Sequence, residues 1–183
     1  MLLHPIANHM KKVHHSFNKE FSISRKIMVI TMLSTIAAIL QSAGGWIPIA
    51  GLFISPLATA PSIISVVLSA RYGMIGYLLT IFLLVLIQPS EVIIFAFTTG
   101  LLGIGIGIAC HVWKRRLSLI MTGGVFLLSG ILFVLHVFRF PLLGPFGGSM
   151  IPLALFSLFY SWIWVELTVV MFKRLKGIVE STR

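Results

Sequence analysis

Residues 41–61 read QSAGGWIPIAGLFISPLATAP. They separate a first apolar run, near Lys26–Ala43, from a second, near Phe53–Ala70. The stretch is rich in glycine, proline and small residues, yet it stays apolar and carries no charge. A linker in water would be polar, and a plain turn between membrane spans would be shorter or wetter. A bent apolar segment of this kind suits a membrane surface, as a lid or as a packed re-entrant wall. Pro56 and Pro61 each remove a backbone donor and obstruct the preceding turn. A helix begun at Pro56 would hold about 15 residues and span roughly 22 Å, short of a hydrocarbon core of about 30 Å. Leu52–Ser55 should therefore lengthen the path in a distorted form, which membrane depth tolerates only against protein or water.

Composition places the whole chain in a bilayer. Its 183 residues suffice for one domain. They are 58% hydrophobic and 10% charged, with a mean hydropathy of +1.06, whereas soluble domains carry about 25% charged residues. The net charge of +10 does not indicate nucleic acid. The basic residues lie between apolar runs, as topology determinants and anionic-lipid contacts do. Cys110 is the single cysteine, so no intrachain disulfide can form. It lies in an apolar run and reads as a small packed hydrophobe. Residues 1–26 are polar and lack the short apolar core and cleavage site of a secretory signal, so the first span is expected to stay in the membrane.

Six spans are expected, near Lys26–Ala43, Phe53–Ala70, Met74–Ile87, Glu91–Trp113, Leu117–Phe138 and Ile151–Phe172. Arg71-Tyr72-Gly73 reads as a tight turn, and Ser90 as the cap of span 4. Ser34, Ala38 and Ser42 recur at spacings of four, putting small side chains on one face of span 1. Gly100, Gly103 and Gly107 make a bare face on span 4. The GIGIG run there (103–107) follows no strand, so it is a packing face and not a nucleotide fingerprint. With the N-terminus inside, the inner segments hold five, one, three and four Lys/Arg, and the outer ones hold only Arg139. That asymmetry satisfies the positive-inside rule. The expectation is an all-α integral membrane protein of six helices with both termini cytoplasmic. A basic leader (1–24) precedes the transmembrane domain (25–176), and a short tail (177–183) follows. His4, His9, His14 and His15 in the leader admit a metal reading, but no thiolate or carboxylate is spaced among them as zinc sites require.

On this topology the outer half gathers polar and aromatic groups: Gln41, Trp46, Gln88, Glu91, His136 and Arg139. Together they would line an outward pocket for a small polar or zwitterionic molecule. Each has a plainer role. Glu91 sits in a helix first turn, where the macrodipole favours a carboxylate. Arg139 can snorkel to headgroups, His136 can pack at the interface, and Trp46 can anchor there. Glu166 lies inside span 6, where an acid is costly and is by default a functional candidate; the plain reading pairs it with Arg71 or Lys114. No G-x-x-x-x-G-K-[ST] loop, H-E-x-x-H pair or G-x-S-x-G elbow occurs. An enzyme, and a chain that uses ATP by itself, are therefore disfavoured, and no cofactor is expected.

The basic leader running into a small-residue first span, the bent stretch after it and RYGMIGYLL at 71–79 resemble the substrate-binding (S) component of energy-coupling-factor (ECF) transporters. The resemblance covers about residues 25–175 and is closest at Arg25–Pro61 and Leu68–Gly76. It implies an S-component-like bundle in a bacterial cell membrane, in contact with lipid, that captures a vitamin or related small-molecule substrate from outside. It further implies a separate coupling (T) subunit and two ATPase subunits as partners, and a loop after span 1 that gates the pocket, with Trp46 as its plug. Docking on the coupling subunit falls to Ser34 and Ala38, where typical members carry A-x-x-x-A. The competing class is a non-enzymatic membrane scaffold or assembly partner, which predicts no outward cavity. A standalone transporter would show internal repeats, and spans 1–3 do not match spans 4–6.

Overall fold

The structure is a computed structural model that describes residues 17, 19, 21–47, 49–113, 115–137 and 150–181, with the side chains of 173–181 excepted. Its described residues are predominantly helical, with no strand among them. Six segments of 18 to 24 residues are long and apolar enough to cross a membrane. At 1.5 Å per residue they reach about 27 to 36 Å, which matches a hydrocarbon core.

Helix α1 (Ile23–Trp46) opens on Ser22, whose hydroxyl accepts from the Arg25 amide. The sequence suggests a break from Gly44 onward, but the helix runs on through Gly44 and Gly45. The two glycines are not breakers here; their bare Cα faces receive side chains from the fourth span. The turn itself is confined to the residues around Ile49, which has φ 65 and ψ −63. That pair lies in the strained γ-turn region, and it is costly for a β-branched residue. Gly51 then passes so close to the Ala43 carbonyl that a Cβ would lie 2.1 Å from its oxygen.

The second span is composite: α2 (Ala50–Ile54), a 3-10 turn (Ser55–Ala58) holding Pro56, and α3 (Thr59–Leu68). The distortion expected ahead of Pro56 is therefore helical from Ala50, with its irregular turn lying against α1. Ala58 and Ala38 are buried together there. Protein thus covers the weakened backbone, as membrane depth requires. A single extended residue, Ser69 (φ −161, ψ 122), separates α3 from α4 (Ala70–Ile87). The tight turn expected at Arg71-Tyr72-Gly73 is instead the first turn of α4. Gly73 lies against the Val66 backbone, where a Cβ would come within 2.5 Å of its Cα.

Gln88 and Pro89 open the fourth span, and Ser90 does not cap it: its hydroxyl accepts from Gln88 Nε2 at 3.0 Å. The span comprises α5 (Pro89–Ile94), a π-helical segment (Phe95–Thr99) and α6 (Gly100–Val112). The glycine face packs as expected. Gly103 lies over Ser62 and Gly107 over Val66, so α6 seats directly on α3. Helices α7 (Arg116–Val137) and α8 (Met150–Ser181) complete the bundle. One apolar core joins α3, α6, α7 and α8, and a second joins α1, the 3-10 turn, α4 and the π segment.

Candidate functional site

Gln41 is the hub of the second core, with 0% of its surface exposed. Its amide nitrogen donates to Ser55 Oγ and to Glu91 Oε2, both at 2.8 Å. Its amide oxygen accepts from Thr99 Oγ1 at 2.8 Å. Three spans thus meet on one side chain, whose hydrogen-bonding capacity is nearly filled. A buried amide left unpaired would cost about 1–3 kcal/mol, so the network also fixes how α1, the 3-10 turn and the fourth span sit together.

Glu91 is 7% exposed. It occupies the first turn of α5, where the macrodipole favours it. Its carboxylate, however, reaches across to Gln41 rather than back to its own helix. The group rests on bare Gly44, where a Cβ would stand 2.9 Å from Oε1. Among the described residues, Oε1 has no hydrogen-bond partner.

The π segment explains how Thr99 reaches the hub. In a regular helix Thr98, seven residues on, shares the face of Glu91, and Thr99 lies roughly 100° past it. The wider π turn winds Thr99 back toward that face. Such bulges concentrate at functional sites. Thr98 Oγ1 closes onto the Ile94 carbonyl, and Tyr77 Oη holds the Ala96 carbonyl at 2.8 Å.

Beside the hub opens a cavity of about 570 Å³. Gly44, Leu52, Ser55 and Pro56, from the first and second spans, line one part of it; Glu91, Ile94, Thr98 and Thr99, from the fourth, line another. Leu127 and Ile131 of α7, with Phe156 and Tyr160 of α8, close it. The rings of Phe156 and Tyr160 stack with centroids 5.7 Å apart. The cavity is mostly apolar, with its polar groups concentrated around Glu91, the usual build of a small-molecule site.

The structure brings some of the expected residues together and not others. Gln41 and Glu91 are at the centre. Trp46 and Gln88 pair with each other at 2.8 Å, outside the cavity. Trp46 is 68% exposed, so it is no plug. His136 is exposed, and its Nδ1 faces its own Leu132 carbonyl. Arg139 and the leader histidines lie outside the described residues. The docking face expected at Ser34 and Ala38 is corrected: both are buried inside the chain. Ser34 Oγ donates to the Ile30 and Gly76 carbonyls at 2.9 Å, so that face is already taken by α4. Glu166 pairs with Arg116 at 3.1 Å and not with Arg71; Lys114 lies outside the described residues. Ser55, Thr98, Thr99, Phe156 and Tyr160 were not singled out in the sequence. Two adjacent threonines inside an apolar span were the available sign, since polar side chains there turn inward.

No family model, curated protein or solved structure matches this chain.

Proposed function

We propose that this six-span protein captures a small molecule in the cavity beneath the stretch 41–61, as the substrate-binding subunit of an ECF-type uptake transporter. One observation carries the reading. A cavity of about 570 Å³ lies under the bent segment, with a buried carboxylate in its wall. A scaffold has no use for such a space, and its Glu91 would face headgroups. The composite second span supplies the roof, and Ile49 stores local strain next to it. The excess of basic residues on the 22-side of the first span supports a cytoplasmic N-terminus, and hence a cavity opening outward in a bacterial cell membrane. In this reading a separate coupling subunit and ATPases supply the energy. They dock elsewhere than on Ser34 and Ala38.

The test is isolation of the tagged chain from its own cell membranes in mild detergent. A coupling subunit and two ATPases that co-purify, and uptake of a nutrient that requires both this chain and those ATPases, are expected. A chain that purifies alone, from cells whose nutrient uptake is unchanged by its deletion, would contradict the proposal.

A further inference from the structure

Three features of the cavity bear on what it holds. Glu91 presents a carboxylate that is more than nine-tenths buried, with only Oε2 engaged by Gln41. Its second oxygen, lying over Gly44, still has lone pairs to offer. Second, the described residues of the wall include no Lys, Arg or His. The carboxylate therefore meets no counter-charge there, and a charge withdrawn from water is costly until it is paired and hydrogen-bonded. Third, the lining also carries the stacked Phe156 and Tyr160 rings, and aromatic faces attract cations.

Resting on the capture reading above, we infer that the ligand is an organic cation: an N–H-bearing ammonium on a compact apolar or aromatic body, with Glu91 as its counter-charge. An N–H of the ammonium donates to Glu91 Oε1. Gln41 holds the carboxylate in place through Oε2 and so acts as a positioning residue. The body of the ligand lies along Leu127, Ile131 and the aromatic pair. A cavity of this volume suits a single compact molecule. Of the small polar or zwitterionic molecules expected from the sequence, a zwitterion would call for a basic group on the wall, and the described wall has none.

The test titrates four matched probes into the purified chain at neutral pH: 2-phenylethylamine, 2-phenylethanol, 3-phenylpropanoate and phenylalanine. The amine is expected to bind about tenfold more tightly than the alcohol, as a charge-assisted bond allows, and the carboxylate not to bind. Glu91→Gln keeps an amide oxygen for Gln41 and should erase the preference for the amine. Equal binding of alcohol and amine, tighter binding of phenylalanine or the carboxylate, or an unchanged preference in Glu91→Gln would overturn the inference. If none binds, the molecule that co-purifies decides: an amine supports it, and a neutral or anionic compound overturns it.

Filling the cavity separates the two readings. If Ile131→Trp, or Ile94→Trp where the first folds poorly, binds every probe as the parent does, the cavity itself is wrong. If it abolishes binding of a neutral or anionic probe, the cavity stands and only the cation falls. The ammonium of an aminophospholipid offers the same chemistry from another source. Competition by phosphatidylethanolamine in nanodiscs, absent with phosphatidylglycerol, keeps the cation and places its source in the bilayer.

Discussion

Gln41 holds together what the rest of the chain assembles. It reaches Ser55, Glu91 and Thr99 at once, so Gln41→Leu strands three polar groups within apolar surroundings. We expect a loss of about 2 kcal/mol, read as a lower melting temperature in detergent. Beside it the two glycines make a matched pair. A Cβ at Gly44 would press on the Glu91 carboxylate, and one at Gly45 on Gln88 Nε2 at 2.2 Å. Gly44→Ala should therefore weaken ligand binding by roughly fivefold, about 1 kcal/mol, while Gly45→Ala leaves it unchanged because Gln88 lies outside the cavity and can swing away. Equal effects in a binding titration would show that the carboxylate is not the contact. The Arg116–Glu166 pair, by contrast, is far along the chain's other core and touches none of these groups.

Among the elements, the π segment is the one the site depends on most. It lets Thr99 turn to Gln41 and leaves the Phe97 carbonyl pressed toward α7, where Gly130 alone can pass. A Cβ at Gly130 would fall 1.7 Å from that oxygen, against 2.7 Å from a mobile Leu158 methyl at Gly124. Gly130→Ala should cost more than Gly124→Ala, on the order of 2–3 kcal/mol from backbone displacement, and it should lower both stability and ligand binding. Thermal unfolding of the two variants checks this. The spans themselves were legible, because long apolar runs and interrupting charges are properties of the sequence alone. So was the glycine face of α6, where spacing translates directly into a helix surface. The breaks were less so. Gly44, Gly45 and Gly73 read as turn residues, but each is glycine because another segment lies on it. Tertiary contact decided their conformation, and no local pattern reports that. For the same reason Gln41 and Glu91 stood out as polar residues near span ends. Ser55 and Thr99 gained their role only through a 3-10 turn and a π bulge, which the hydropathy pattern does not encode. His136 and the Trp46–Gln88 pair, expected in the same pocket, line no part of the cavity.

For the molecule as a whole, the two cores meet along α3 and α6, and the cavity lies where α7 and α8 face the hub. In the proposed reading the cavity opens outward, on the strength of the charge distribution, and labelling can check it. On a Cys110→Ala background, cysteine at exposed Trp46 should react with a membrane-impermeant maleimide applied to intact cells, and cysteine at Arg115 only after lysis. The reverse pattern would turn the cavity inward and remove the case for capture from outside. Occupancy of the cavity is the more direct question. Native mass spectrometry of the detergent-purified chain should show a bound small molecule that is released on activation and missing from Ile131→Trp folded to the same helical content. A parent spectrum without any adduct, or an adduct that survives in the filled variant, would contradict a ligand site beneath residues 41–61.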